Sequence, residues 1–230
     1  MSMNNERSSL LLGEENTKIL HTKTVMVIGL GGVGSFCVEA LARSGIGRLV
    51  LVDKDTIEES NLNRQLIATT ETIGRNKAEA LKERIKTIAP DCMVESHVCF
   101  YDKEKDETLF NQSIDFVIDC IDSIQSKQNL IEACLNREIP FLCSMGTARR
   151  MDPTQLKVME LEKTSYDPIA KRLRNWKRKN HIHKKIWVVS SMEPAIPVDA
   201  SLPLPSMIFV PGTAGLLLAN ECVKRLIQKQ

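Results

Sequence analysis

The chain has 230 residues, 43% hydrophobic and 26% charged, which suits one α/β domain with an appendage and rules out a disordered or low-complexity protein. With 31 Lys and Arg against 29 Asp and Glu the formal net charge is +2, so a generally basic nucleic-acid coat is excluded while a local basic patch is not. Seven cysteines with no CxxC pair make no disulfide framework, and no apolar stretch reaches the ~18 residues of a membrane helix. The polar start Met1–Ser9 lacks the apolar run of a signal peptide, so a reduced cytoplasm and no membrane are expected.

From Thr24 apolar runs alternate with helical patterns, the signature of βαβ units in a doubly wound, mainly parallel Rossmann-like α/β sheet over residues 20–147. Val25–Ile28 predicts a strand, Val33–Ser44 a helix, and Leu49–Val52 a strand ending at Asp53. Asn76–Ala89 predicts a helix with Ala80, Leu81, Ile85 and Ile88 on its inner stripe. Val94–Phe100 reads as a weaker strand and Phe116–Ile118 as a clear one; a helix over Asn129–Asn136 and a strand at Pro140–Cys143 complete the series. The character changes after Met151. A strand is predicted at Leu156–Leu161, then an acid-free stretch from Pro168 to Met192 holds Lys171, Arg172, Arg174, Lys177, Arg178, Lys179, Lys184 and Lys185. Trp176, His181, His183 and Trp187 are interleaved with these charges. Pro194, Pro197, Pro203 and Pro205 exclude continuous helix or central strand, and Gly212–Leu226 predicts an apolar helix covering the sheet or a subunit interface.

Gly29, Gly31 and Gly34 form GxGxxG between a strand and a helix, with Gly32 an additional glycine. Such a turn lets phosphate approach backbone N–H groups at a helix N-terminus, and the acidic Asp53 can bind ribose hydroxyls. Alone this says "nucleotide", with a dinucleotide oxidoreductase as the default and a ligand-free tight turn as the bland alternative. The motifs downstream of the glycines are not dehydrogenase-like: Asp53-Lys54-Asp55, Ser60-Asn61-Leu62-Asn63-Arg64-Gln65, Gly74-Arg75-Asn76-Lys77 and Asp119-Cys120-Ile121-Asp122-Ser123.

In that series and order the sequence resembles the ThiF/MoeB/HesA ubiquitin-activating-like adenylyltransferases over Gly29 to Met145. The resemblance implies their Rossmann-like fold, ATP as cosubstrate, Asp53 on the ribose, and Asn61, Arg64 and Lys77 around the phosphates, with Asp55 and Gln65 in the same site. It makes Asp122 the carboxylate for Mg2+. The opening Arg7-Ser8-Ser9-Leu10-Leu11-Leu12-Gly13-Glu14-Glu15 resembles the RxxLLxGEE start of one branch, which implies a homodimer with Arg7 reaching the partner subunit's ATP; a frayed terminus is the alternative.

Relatives that activate carrier proteins often hold zinc through two CxxC pairs or use a loop cysteine, and this chain has no CxxC and no cysteine from Ser144 to Glu221. The distal segments Ser144-Met145-Gly146-Thr147, Met151-Asp152-Pro153-Thr154, Lys163-Thr164-Ser165-Tyr166-Asp167-Pro168 and Phe209-Val210-Pro211 resemble the tRNA threonylcarbamoyladenosine dehydratase branch. That resemblance implies ATP-dependent cyclisation of threonylcarbamoyladenosine beside the anticodon through carboxylate adenylation, catalysed by Arg64, Lys77, Asp122 and Arg7. Intramolecular ring closure needs no enzyme nucleophile. It implies residues 1–150 as the ATP-binding adenylation domain with an N-terminal arm. Residues 151–230 become an extension packed on that domain, with the eight basic residues docking tRNA and Trp176 or a histidine able to stack on a base. Trp176 itself reads better as core. A cysteine desulfurase or sulfur acceptor is a candidate partner. Arg149-Arg150 departs from the family pattern, as an altered loop or an added phosphate contact. The rivals are an adenylyltransferase for a sulfur-carrier or ubiquitin-like protein, and a catalytically idle nucleotide-sensing tRNA binder.

Overall fold

Strand β1 (Thr24–Ile28) is buried at every residue, as expected of a strand with helices over both faces. A computed structural model describes residues 6–199, 201 and 203–228. Helices α1 (Glu6–Leu12) and α2 (Glu14–His21) precede β1; α3 (Gly34–Arg43), β2 (Arg48–Val52), α4 (Lys77–Ile88) and β3 (Met93–His97) come after it. Then come α5 (Asp106–Leu109), β4 (Phe116–Asp119), α6 (Ile124–Asn136) and β5 (Phe141–Ser144). The second half adds β6 (Leu156–Glu160), α7 (Pro168–Lys179), β7 (Trp187–Ser191) and α8 (Phe209–Ile227).

These seven strands make one sheet in the order β3-β2-β1-β4-β5-β7-β6, parallel except for the antiparallel β6–β7 pair at one edge. The order reverses beside β1, so crossovers leave a crevice beyond the carboxyl ends of β1 and β4. This is the doubly wound α/β fold expected from the alternation of apolar runs. Strand β7 is a finding the sequence did not signal. Its Val188 and Val189 form a short apolar run at the end of the basic stretch, and Cys143 and Ser144 pair with them. The sheet therefore continues unbroken from the first half of the chain into the second.

Three boundaries differ from those expected of the sequence. Strand β3 ends at His97, so residues 98–101 leave the sheet and turn toward the crevice. Helix α6 starts at Ile124, five residues before the predicted Asn129, because the Ser123 side chain caps it by accepting from the Ser126 N–H. Helix α8 starts at Phe209 rather than Gly212, since Pro211 is tolerated in a first turn.

The larger apolar core joins β1 and β2 to α3, α4 and α8 on one face. A second cluster, including Met26, Ile28, Val50 and Leu130, lies on the other face under α6, and a third joins β5 and β7 to α7. Helix α8 lies against α3 with the Pro211 ring over Gly32, so the last helix of the chain backs the glycine turn. Among the described residues, no helix is long and apolar enough to cross a membrane.

Candidate functional site

The carboxyl ends of the parallel strands open onto a cavity of about 600 Å³, and every residue of the expected nucleotide set except Gly34 lines it. Its construction starts at Gly29, just after β1, with φ +88; a side chain there would strike the Cys120 carbonyl. Gly34 sits behind, where a methyl group would collide with the Gly29 carbonyl. Glycine is therefore required at both corners of the turn. Helix α3 begins at Gly34 with no side-chain cap on its N-terminus, which leaves the positive end of its dipole toward the cavity. Gly31 and Gly32 line the cavity with backbone only.

Asp53 follows directly on β2, and its carboxylate is fixed by two backbone donors, the Leu30 N–H at 2.6 Å and the Asp55 N–H at 2.8 Å. Asp55 pairs with Lys54 at 2.6 Å and with Lys77 at 3.2 Å. Burial pushes the Asp55 carboxyl up, but hydrogen bonds and charges from Lys54 and Lys77 outweigh it and hold the group below the usual carboxylate range. Lys77, at the start of α4, is buried yet lines the cavity, so its ammonium is held in place by Asp55 with donors to spare. The Arg64 guanidinium is fixed by the Ser60 carbonyl at 2.8 Å and Asn63 Oδ1 at 2.9 Å. Asn61 is buried and braces its own turn by accepting from the Glu58 N–H at 3.2 Å. Gln65 is buried with its Oε1 unpartnered among the described residues, close beside Gly31. Asp122 is exposed in the loop after β4 and close enough to Lys54 to help raise that ammonium's pKa, after the larger effect of Asp55.

The far wall comes from the end of β5 and the loop that leaves it, Ser144–Ala148, from Ile169 in α7, and from Leu204, Ser206 and Pro211 before or within α8. Two buried ion pairs support it, and sequence reasoning named neither. Lys127 Nζ lies 2.8 Å from Asp119 Oδ2 and donates to the Ser144 carbonyl at 3.0 Å, both side chains being essentially without solvent. Burial pushes the Lys127 ammonium down, but the Asp119 carboxylate outweighs it and the Lys127 pKa is raised. Lys127 lies three and four residues before the core residues Leu130 and Ile131, so a lysine on the apolar stripe of α6 was the available signal. In the second pair Asp167 caps α7 through the Ala170 N–H at 2.8 Å and accepts from the Gly146 N–H at 2.9 Å. Arg150 lies against it, bonded to the Gly146, Tyr166 and Glu193 carbonyls.

Arg150 is therefore an internal brace and not an added phosphate contact. The basic segment also differs from the reading of eight uncompensated charges. Lys177 is buried against Glu162, Lys184 meets Glu138 at 3.8 Å, and Lys185 meets Glu160 at 2.7 Å. Arg174 donates to the Thr164 carbonyl at 3.1 Å. The acids come from β6, from the turn after it and from the end of α6, where a linear scan of the stretch does not look. Lys171, Arg172, Arg178 and Lys179 remain exposed on α7 without an ion pair among the described residues, while Trp176 packs against the third core cluster. Arg7 lies exposed on α1 and is not among the cavity's lining residues.

Residues 5–230 match the ThiF family. The chain is 41% identical to tRNA threonylcarbamoyladenosine dehydratase of Bacillus subtilis over 96% of this chain and 94% of the relative. It is 34% identical to the Escherichia coli protein of that name over 92% of this chain and 76% of the relative. A crystal structure of E. coli tRNA N6-threonylcarbamoyladenosine dehydratase in complex with AMP superposes with a TM-score of 0.91 at 32% identity, covering 96% of this chain and 93% of that one. The same protein in complex with ATP gives the same figures.

Breaking one partner of the Asp119–Lys127 pair strands a buried charge. Lys127→Met is expected to cost about 3–5 kcal/mol of unfolding free energy in urea titration. Adding Asp119→Asn, which keeps an acceptor for the Ile121 N–H, should recover a large part of that loss. A double variant no more stable than Lys127→Met would show that the lysine acts through packing alone.

Proposed function

The chain belongs to the ThiF family, and on that footing we propose that it is an ATP-dependent tRNA threonylcarbamoyladenosine dehydratase working by carboxylate adenylation. What supports this most is one cavity in which Arg64, the buried Lys77, the Asp53 carboxylate and the open N-terminus of α3 face the same space. The bare backbone at Gly31 and Gly32 leaves room there for a nucleotide to approach. The thiols weigh against a covalent carrier-protein route. Cys99 and Cys120 line the cavity, but burial raises both, so neither is a thiolate at neutral pH.

In this reading Asp53 holds the ribose, and the α3 N-terminus, Arg64, Lys77 and Asn61 hold the phosphates. The substrate's carboxylate oxygen bonds to the α-phosphorus as the bond to pyrophosphate breaks. An atom of the same side chain then attacks the activated carbonyl, losing a proton, and AMP departs with the former carboxylate oxygen. Arg64 presents a planar fork and Lys77 a point charge to oxygens that gain charge only as the α-phosphorus is attacked, which is where preorganised donors speed a reaction. Asp122 is the residue that would hold Mg2+. Such an ion would be held by that one carboxylate together with ATP phosphates and waters. When bound there, that ion would neutralise the pyrophosphate leaving group. Dehydration moves no sulfur, so a cysteine desulfurase or sulfur acceptor enters no step of it.

The far wall, Ser144–Ala148 with Ile169, is the part of the cavity left for the modified adenosine once ATP occupies the glycine side. The exposed Lys171, Arg172, Arg178 and Lys179 lie along the helix that starts at this wall, which suits contacts to tRNA phosphates. Arg7 belongs to the reading as a residue acting across a homodimer on the partner's ATP.

Mass spectrometry of nucleosides from tRNA incubated with enzyme and ATP should show loss of one water from threonylcarbamoyladenosine; unchanged nucleoside would remove the assignment. In that assay Arg64→Ala and Lys77→Ala should each raise the barrier by roughly 2–4 kcal/mol, the range for one lost preorganised donor. Either variant turning over at the wild-type rate would take that residue out of the site.

Replacing Lys171, Arg172 and Lys179 together by Ala should flatten the salt dependence of tRNA binding by about 2–3 units while leaving ATP binding unchanged. Parallel salt lines for variant and wild type would exclude these side chains from the phosphate contacts.

Mixing inactive Arg7→Ala and Lys77→Ala subunits should restore part of the activity, because one composite site per mixed dimer is intact. No recovery despite demonstrated subunit exchange would place Arg7 outside the reaction.

A further inference from the structure

Tyr166 stands out by its backbone and its ring. It takes the left-handed region at φ +58, where an aromatic residue is a costly choice and glycine or asparagine the cheap one. Its ring gains nothing from the core in return: the residue is 62% exposed and belongs to none of the three apolar clusters. The backbone beneath it is nonetheless fixed. The Tyr166 carbonyl accepts from the Arg150 guanidinium at 3.1 Å, and the same guanidinium donates to the carbonyl of Gly146 in the cavity wall. On the other side Asp167 joins the Gly146 N–H to the first turn of α7. An exposed aromatic is thus mounted on a rigid, buried bracket one guanidinium away from the cavity.

The surface beyond it carries the complementary charge. From Tyr166 the chain enters α7, whose exposed residues Lys171, Arg172, Arg178 and Lys179 extend over about 12 Å at the helical rise of ~1.5 Å per residue. An aromatic platform leading into a basic track is the combination that holds unpaired RNA, bases on the ring and phosphates on the cations. We infer that Tyr166 is the stacking platform for an unpaired base next to the modified adenosine of the tRNA, and so a positioning residue for that substrate. The inference rests on the tRNA-modifying reading above and adds to it the residue that grips the loop. The ring touches the neighbouring base, leaving the ATP side of the cavity to Arg64 and Lys77. A strained, anchored backbone serves this role because the ring needs no reordering when RNA arrives.

Three variants separate ring from backbone. Tyr166→Phe keeps the aromatic face, Tyr166→Ala removes it, and Tyr166→Gly removes it while relieving the left-handed backbone. The Ala and Gly variants should raise the KM for substrate tRNA by about 5- to 100-fold, the loss of one base–aromatic stack, with kcat and the KM for ATP unchanged. The Phe variant should behave as wild type. Two substrate tRNAs, abasic at the nucleotide 5′ or 3′ of the modified adenosine, then identify the base. One of them should raise the wild-type KM by a similar factor and have no further effect on Tyr166→Ala. Wild-type KM in Ala and Gly, a Phe variant as weak as Ala, or no coupling to either abasic site would each overturn the inference. A wild-type enzyme that converts no tRNA would instead remove the functional reading itself.

Discussion

One buried lysine ties together the ends of two neighbouring strands at the site. Lys127 reaches from α6 to the end of β4, where it neutralises Asp119, and to the end of β5, where it donates to Ser144. The loops after those two strands, Cys120–Ser123 and Met145–Ala148, line the cavity from opposite sides of this link. Asp119 in turn accepts the Ile121 N–H, which turns the chain toward Asp122. Two charges without solvent are held only because each satisfies the other and a backbone group besides. The arrangement fixes the separation between the loop after β4 and the part of the cavity wall that starts at Ser144.

The parts of this architecture that were legible in sequence are those set by local pattern. Uniformly apolar runs such as Val25–Ile28 and Leu49–Val52 could only be central parallel strands, and Gly29 and Gly34 announce backbone contacts that no side chain can enter. Lys77 and Arg64 were legible through their motif, and the cavity contains both. Strand β7 was not legible because it is two valines long at its centre and comes after eight basic residues; its strand character comes from pairing with β5 and β6. Lys127 and Arg150 were not legible because a lone cation in a helix or loop is usually solvated. Only the third dimension supplies Asp119 and Asp167 as their partners.

The basic stretch shows the same limit from the other side. A run with no acid in sequence is not a run with no acid in space, since Glu138, Glu160 and Glu162 meet Lys184, Lys185 and Lys177. Pairing sorts the eight charges into cations that meet an acid or a carbonyl and cations that carry no ion pair among the described residues. The unpaired ones sit on one helix that begins at the cavity wall, and the bracket of Arg150 and Asp167 joins that helix to Gly146. A departure from the family pattern at Arg149-Arg150 is thereby explained in part: Arg150 is structural, while the exposed surface it supports is where RNA is expected to lie.

The central claim is that the substrate's own carboxylate attacks the α-phosphorus of ATP within this cavity, and the fate of one oxygen atom tests it. Threonylcarbamoyladenosine tRNA labelled with oxygen-18 in the carboxylate would be converted by the enzyme with unlabelled ATP, and the nucleotide products weighed. The account predicts one labelled oxygen in AMP and none in pyrophosphate, because the former carboxylate oxygen leaves on the α-phosphate. Unlabelled AMP, or label in inorganic phosphate, would contradict it and point to activation at a different phosphorus.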